Sequence, residues 1–499
     1  MSNPESASAE DPTRHRILKA PLPWAVLRFG APLALAMVLQ GLFNLVDQYL
    51  IAKLPAEVSD ASLDALGICD MVAALGTILS YGVSTGTATL LARHKGAGDE
   101  ASVARVAWAS IGIVIALAVV FGLVGVIGAD VIIHDLLGAK GEVRVLGRDY
   151  LRVILGGSAS VFLMFQITSV YRALGNSRLP LITFAVGNVL NLFLAVLMVY
   201  GPGDAPTVFS WGPPIARALS IPRMEVLGAA WATIIARSIA CVVPLIMLRR
   251  TLKVREHQAT LRPPPELARA IFDLAWPTSA QFVVRVVSVL FVTGLVHHAY
   301  TTATNSDAGT AFALCLRFET MALFICMGWG GCAQTFVGMC LGASDRARAT
   351  AAGWYTAVYG VATMALLAVV YRLWGDDVLR VFTRAPHILE LAMSYLTTVA
   401  PSYMFYGLAI VLGNAIVGAG ATRLALRVDA SLVSAVQVPL MLAVVAAIGV
   451  PIERFWFTIV LFNAINAAVY AAVYRRGELW QSTLVESSID HSSLAGAAS

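Results

Sequence analysis

The tetrapeptide Gly96-Ala97-Gly98-Asp99, followed by Trp108, recurs later in the chain as Gly342-Ala343-Ser344-Asp345, followed by Trp354. The offset between the two copies is 246 residues. Three further residues recur at an offset of 245: Pro32 as Pro277, Gly175 as Gly420, and Arg178 as Arg423. A single shift therefore aligns landmarks across most of each half. An internal duplication of apolar helices is typical of secondary transporters, whose substrate path lies between the halves.

Composition places the chain in a membrane. Its 499 residues have a mean hydropathy of +0.76 and only 13% are charged, which excludes a soluble globular domain. The net charge of +5 lies in loops and indicates membrane topology, so we expect no nucleic-acid partner. The six cysteines lie in apolar segments without a CxxC or Cys/His cluster. We interpret them as packing residues, and expect neither disulfides nor a metal site.

Apolar runs long enough to cross a bilayer predict an all-α integral membrane protein, because lipid forces backbone groups to pair internally. The first 22 residues are polar, so we expect no cleavable signal peptide and an uncleaved first span. Twelve spans are predicted: 24–52, 63–92, 103–128, 145–173, 180–200, 226–248, 269–296, 308–341, 349–375, 389–418, 424–449 and 453–474.

Basic residues concentrate in the alternate loops that share a side with the termini. The positive-inside rule then predicts a multi-pass plasma (bacterial inner) membrane protein with both termini in the cytoplasm. An even number of spans per half predicts two six-helix lobes related by a pseudo-two-fold axis along the membrane normal. The predicted divisions are a cytoplasmic tail (1–22), an N-lobe (23–248), a cytoplasmic linker (249–268), a C-lobe (269–475) and a second cytoplasmic tail (476–499).

The repeated residues also carry a family resemblance, over about residues 20–475. The matching segments are Phe29–Leu33 with Asn44–Asp47, Thr85–Asp99, Tyr171–Pro180, Gly228–Thr233, Arg317–Glu319, Val337–Ala343, Gly418–Thr422 and Val436–Leu440. In order and spacing they resemble the multidrug and toxic compound extrusion (MATE) family. The resemblance implies a cation-coupled exporter of organic, often cationic, compounds, driven by H⁺ or Na⁺ and without a cofactor. It also implies that Asp47 carries the coupling.

Polar residues inside spans are costly and are functional candidates by default. Gln40, Asn44 and Asp47 share one face of the first helix, which predicts that they face a cavity. Burial penalises the charged form of a carboxyl group, so Asp47 can exchange a proton near neutral pH or ligate Na⁺ when ionised. Asn188 and Asn191 share a face of the fifth helix and are expected either to serve Asp47 or an ion, or to join helices by hydrogen bonds. Many family members have a second Asp where this chain has Ala195.

Arg285 is predicted to lie near mid-membrane, at the position that the repeat aligns with Gln40, and Gln281 shares its face. Two interpretations stay open. In one, Arg285 forms a buried ion pair with Glu319. In the other, it binds an anionic group of the substrate, since guanidinium groups suit such recognition. The predicted substrate cavity is lined by five residues: Gln40, Asn44, Gln281, Arg285 and Glu319.

Three function classes are considered for such a chain: an antiporter, a flippase and an intramembrane enzyme. We expect a monomeric antiporter of small molecules, with a lipid-linked or anionic-substrate flippase of the same superfamily as the alternative. An intramembrane enzyme is disfavoured. The hydrolase-like motif Gly82-Val83-Ser84-Thr85-Gly86 lies inside an apolar helix, whereas a nucleophile elbow needs a strand-to-helix turn. No phosphate-binding loop is present in the sequence, so energy is expected from an ion gradient.

Overall fold

The structure is a computed structural model that describes residues 12–254, 256–257, 259–302, 305–446 and 450–476. All regular secondary structure in these residues is helical. Eleven segments are long and apolar enough to cross a bilayer, and a twelfth span arises if the pair Gly141–Gly156 and Ser158–Ala173, bent by 41°, counts as one. Each of the twelve predicted spans has a counterpart among them, which confirms the all-α membrane assignment.

The described residues of the first half form nine α-helices. A π-helical turn, Val131–Leu136, extends the fourth, and a 3-10 turn, Thr207–Phe209, precedes the eighth. The helices are α1 Pro12–Lys19, α2 Leu22–Ile51, α3 Ala56–Ala97, α4 Glu100–Asp130, α5 Gly141–Gly156, α6 Ser158–Ala173, α7 Arg178–Tyr200, α8 Gly212–Ala218 and α9 Glu225–Thr251.

The second half contains eight α-helices within the described residues. A 3-10 turn, Ala400–Ser402, joins two of them into one span, and a π-helical turn, Val433–Gln437, interrupts another. The helices are α10 Pro265–Tyr300, α11 Asp307–Gly342, α12 Arg346–Phe382, α13 Pro386–Val399, α14 Tyr403–Gly418, α15 Thr422–Leu432, α16 Val438–Ala446 and α17 Ile452–Arg476.

The duplicated tetrapeptide forms the same turn twice. Asp99 accepts a hydrogen bond from the Ser102 backbone N–H, and Asp345 accepts one from that of Arg348, at 2.9 Å in each case. Each Asp thereby satisfies a free N–H group at the start of its helix. The preceding residues, Gly98 and Ser344, have φ of +84° and +62°. Asp99 and Asp345 therefore shape the same helix connection in the two halves of the chain.

A second repeated pair ends the helices α6 and α14. Gly175 and Gly420 both have φ of +83°, a conformation that glycine adopts without a steric penalty. In each copy, the N–H of the residue after the glycine bonds a carbonyl five residues earlier, from Asn176 to Tyr171 and from Ala421 to Ile416. These bonds satisfy carbonyls at the helix C-terminus and stop the helix. The repeat in sequence is thus also a repeat in backbone conformation.

The described residues pack into two compact units. One comprises residues of Met1–Ala34, Ala92–Gly98 and Ala280–Ser499, and the other comprises Leu35–Leu91 and Asp99–Ser279. Each unit has its own buried apolar core, built around Trp329 and Phe336 in the first and around Tyr150 and Tyr200 in the second. The lobe boundaries given by the sequence remain a prediction.

Helix α1 lies in the segment predicted as a polar tail. Its Ile17 is buried, and the Arg14 side chain donates hydrogen bonds of 3.1 and 2.9 Å to the Gly96 carbonyl. Arg348 donates in turn to the carbonyls of Ile17, at 3.0 Å, and Ala20. Both copies of the duplicated turn therefore contact this helix.

Candidate transport sites

Asp47 forms a hydrogen-bonded site in the second unit. It lies on α2 and is only 7% exposed. The Thr233 hydroxyl, on α9, donates to Asp47 Oδ2 at 2.7 Å, and Asn191 Nδ2, on α7, donates to Asp47 Oδ1 at 3.4 Å. Asn191 Nδ2 also lies 2.9 Å from Thr233 Oγ1. Three helices therefore hold one buried carboxyl group in a defined orientation.

Asn191 contacts Asp47 as the sequence suggested, but Asn188 joins helices instead. The Asn188 amide donates to the carbonyls of Leu39, at 2.9 Å, and Phe184, at 2.8 Å. The Oδ1 atoms of Asn188 and Asn191 are both buried and have no hydrogen-bond partner among the described residues. Buried acceptors are normally satisfied, so these two amide oxygens are available to a cation or a water molecule.

The remaining residues of the predicted polar stripe are less informative. Gln40 is half-buried on the face of α2 that also bears Asp47. The side chain of Asn44 lies outside the described part of the structure.

Two further ionisable residues lie near Asp47 and were not predicted from the sequence. Arg237, on α9, is 8% exposed and lies over the ring of Phe43, with its Cζ atom 4.6 Å from the ring centroid. Asp70, on α3, is half-buried, and Arg237 interacts electrostatically with both Asp47 and Asp70. The rule that ionisable residues within spans are functional candidates applies to both and identifies them from sequence.

Arg285 is paired, but with Asp429 and not with Glu319. Its Nε atom lies 3.0 Å from Oδ2 of Asp429, whose side chain is 7% exposed. The Tyr470 hydroxyl donates to the other carboxylate oxygen of Asp429, and Gln281 Nε2 lies 3.4 Å from the Tyr470 hydroxyl. Gln281 and Arg285 thus belong to one polar network that joins α10, α15 and α17.

Of the two interpretations of Arg285, the ion pair with Glu319 is therefore wrong. Glu319, on α11, accepts a hydrogen bond of 2.7 Å from the Tyr395 hydroxyl, on α13. It has no cationic partner within 4.0 Å among the described residues. Helix α15 places Asp429 beside Arg285, whereas the contact with α13 engages Glu319.

Arg285, Asp429 and Glu319 line one cavity in the first unit. Its empty volume is about 820 Å³, a figure that includes space open to solvent. Most of its wall is apolar or aromatic, including Phe312, Tyr406, Met441, Ile459 and Phe462. With Arg285 and Asp429 paired, Glu319 is the remaining ionisable carboxyl group at the wall.

The hydrolase-like motif is a packing feature. Ser84 lies within α3, where its hydroxyl donates to Gln166 Oε1 at 2.9 Å. A Cβ atom on Gly82 would lie 1.9 Å from Ser279 Oγ, so the glycine permits a close helix approach. All six cysteines are free and buried. Within the described residues no cluster of His, Cys, Asp or Glu has a metal-binding arrangement.

A duplicated set of membrane helices with buried polar sites is typical of multi-pass secondary transporters. The chain belongs to the MatE family, the multidrug and toxic compound extrusion transporters, because that family model matches it twice, over residues 32–197 and 281–443. The resemblance stated from sequence is therefore confirmed. This is a family of efflux transporters, not of enzymes, and it uses ion gradients rather than cofactors.

Individual relatives are distant in sequence but match most of the chain. The probable multidrug resistance protein NorM of Thermotoga maritima is 22% identical over 400 residues, covering 80% of each chain. An FAD transporter of Shewanella oneidensis is 23% identical, covering 81% of this chain and 84% of the relative. A solved structure described as the outward-facing conformation of a multidrug resistance MATE transporter superposes with a TM-score of 0.81, at 20% identity and over 95% of this chain and 99% of that one. This similarity confirms the fold of twelve spans in two lobes.

Proposed function

We propose that the protein is a secondary antiporter that exports organic compounds in exchange for H⁺ or Na⁺ by alternating access. The observation that carries this proposal is the buried carboxyl group of Asp47, held by Thr233 and Asn191. A carboxylate at this depth is costly when ionised and unpaired, so a cation that neutralises it has a large effect on the energy of the site.

Either cation suits the groups that surround Asp47. A proton would neutralise the carboxylate directly. A sodium ion prefers several oxygen ligands, and the Asp47 carboxylate, the Thr233 hydroxyl and the Asn191 Oδ1 atom are oxygens of the required kind. In both cases the ion drives transport only if it binds one conformation more tightly than the other.

The cavity of the first unit is the proposed substrate site. Asp429 neutralises Arg285, so Glu319 leaves the wall acidic when it is ionised. An acidic wall with aromatic surfaces favours organic cations, which aromatic rings also attract. We therefore propose cationic or amphipathic substrates that contact Glu319, in the cavity that Arg285 and Asp429 also line.

An anionic substrate is the second candidate, and two observations favour it. Arg285 lines the cavity and would become available if Asp429 were protonated or moved. One relative is described as an FAD transporter, and FAD carries two phosphate groups. The alternative is thus an exporter or flippase of anionic or lipid-linked compounds on the same fold.

The membrane placement of the protein is part of the proposal. Basic loops favour both termini on the cytoplasmic side of the plasma membrane. We also propose that the protein works as a monomer, since each candidate site is built within a single unit of one chain.

Reconstitution into liposomes tests the coupling. Efflux of the cationic dye ethidium and of an anionic dye would be measured while ΔpH and ΔNa⁺ are imposed separately. Asp47→Asn keeps the size of the side chain and removes its charge, and it should abolish ion-driven efflux of either dye. The matched control is Asp135→Asn, at an exposed carboxylate. Wild-type efflux by Asp47→Asn would contradict the proposal, whereas preference for the anionic dye would favour the second candidate.

A further inference from the structure

Arg237 is a buried cation to which no described residue offers a hydrogen bond. Its side chain lies over the Phe43 ring and is more than nine-tenths buried. Within the described part of the chain it forms no ion pair within 4.0 Å and no hydrogen bond. Buried charges are normally paired, since an unpaired one bears the full cost of desolvation. A cation–π contact offsets only part of that cost.

The register of two helices places Arg237 one turn from the Asp47 carboxyl group. Thr233 of α9 contacts Asp47 of α2, and Arg237 follows Thr233 by four residues. Phe43 precedes Asp47 by four residues, and Arg237 contacts Phe43. The two helices are therefore antiparallel here, and one turn corresponds to about 5.4 Å. A rotation of the long Arg237 side chain is enough to move its guanidinium towards Asp47.

The charges around Arg237 allow two positions for it. The carboxyl groups that interact with it are Asp47, on α2, and Asp70, on α3. The other titratable side chains facing this cluster are Tyr150, Cys69 and Cys241. Two carboxylates and one guanidinium leave a surplus of one negative charge. One added cation makes the cluster of Asp47, Asp70 and Arg237 neutral. When that cation leaves, one carboxylate has no counter-charge, and Arg237 can pair with it.

We propose that Arg237 is a tethered cation that replaces the coupling ion on Asp47 after that ion leaves, and that Asp70 holds it while the ion is bound. The inference rests on the proposed coupling role of Asp47 and extends it. Arg237 competes with the ion for the same carboxylate and thereby promotes its release. It also keeps Asp47 neutralised while the site holds no ion, which lowers the cost of a buried charge during the return step.

The experiment measures ethidium efflux from liposomes as a function of external pH and, separately, of external Na⁺. Arg237→Gln removes the competitor, so the cation concentration for half-maximal efflux should fall about tenfold, as expected for a charge interaction at this range. The maximal rate should also fall, because the ion is released more slowly. The matched control is Arg250→Gln, an exposed arginine on the same helix.

Two variants separate a moving arginine from a fixed charge. Phe43→Leu changes no charge but removes the ring that holds Arg237, so the half-saturating cation concentration should rise about threefold as Arg237 populates Asp47. Asp70→Asn should raise the half-saturating cation concentration about tenfold in the wild-type background. In the Arg237→Gln background it should raise that concentration only about twofold, because Asp70 acts mainly through Arg237.

The outcomes distinguish this inference from the proposed function. Equal effects of Asp70→Asn in both backgrounds, or an unchanged cation requirement in Phe43→Leu, would overturn the tethered cation. Cation-driven efflux by the wild type and its loss in Asp47→Asn would then still support coupling. If Arg237→Gln does not reach the membrane, Phe43→Leu decides the question by itself, since it keeps every charge: a raised half-saturating cation concentration supports the tethered cation and an unchanged one overturns it.

Discussion

The guanidinium group of Arg285 and the carboxylate of Asp429 form an ion pair of 3.0 Å at the wall of the cavity. The Tyr470 hydroxyl donates a hydrogen bond to the second carboxylate oxygen of Asp429. Two residues separated by 144 positions in sequence thus cancel each other's charge at the proposed substrate site. The charge that a substrate meets there depends on whether this pair is intact.

Removing one partner of this pair should change substrate preference. Arg285→Gln leaves Asp429 uncompensated, and we expect ethidium efflux to gain at least about threefold over efflux of an anionic dye. Asp429→Asn frees Arg285 and should shift the ratio in the opposite direction. The measurement is the ratio of the two efflux rates in liposomes. Equal loss of both activities in the two variants would contradict a role in charge selection.

The double variant Arg285→Gln/Asp429→Asn is the control for this pair. It restores a neutral wall, and we expect a dye ratio within about twofold of the wild type. Thermal unfolding in detergent should show the same coupling. Each single variant leaves a buried charge unpaired and should cost up to roughly 3–5 kcal/mol, and the double variant less.

The hydrogen bond from Thr233 to Asp47 should matter for cation affinity. Thr233→Val keeps the shape of the side chain but leaves one carboxylate oxygen without its donor. We expect the cation concentration for half-maximal efflux to change by about tenfold, since hydrogen bonds to charged groups contribute about 1.5–3 kcal/mol. Thr233→Ser retains the hydroxyl and should stay within about threefold. Wild-type cation dependence in Thr233→Val would show that the bond has no role in coupling.

The two copies of the repeated turn should respond oppositely to substitution. Ser344 has φ of +62°, a conformation that costs an L-residue about 1–2 kcal/mol. Ser344→Gly should therefore stabilise the protein by about 1 kcal/mol, whereas Gly98→Ala, at φ of +84°, should destabilise it by a similar amount. Chemical unfolding in detergent measures both. Changes of the same sign would argue against backbone strain as the cause.

Thiol chemistry tests the packing of the whole chain. All six cysteines are free and buried, so the folded protein should react slowly with maleimide, and all six thiols should become reactive on denaturation. Mass spectrometry after brief labelling gives the stoichiometry. Rapid labelling of Cys69 or Cys241 in the folded protein would contradict their burial beside the Asp47 site.

The repeat and the polar periodicity predicted the helices and one of the two sites. Asp47 and Asn191 could be brought together from sequence because each belongs to a recognisable stripe on its own helix. The partner of Arg285 could not be predicted, because pairing depends on how α15 and α11 are rotated about their axes. Apolar periodicity does not determine that rotation. Arg237 and Asp70 were missed for another reason: each is a single ionisable residue without a polar stripe around it.

Helix α1 gives the duplicated chain a feature that its repeat does not predict. Arg14 binds the carbonyl of Gly96 in one turn, and Arg348 of the other turn binds the carbonyl of Ile17. One short segment is thus shared by two structures that arose as copies. In evolutionary terms, neither copy is free to change its length or direction by itself, since a shift in one would break contacts that also position the other. We therefore expect the two turns to be coupled through α1, because a shift of one turn would break a contact of the helix that also binds the other.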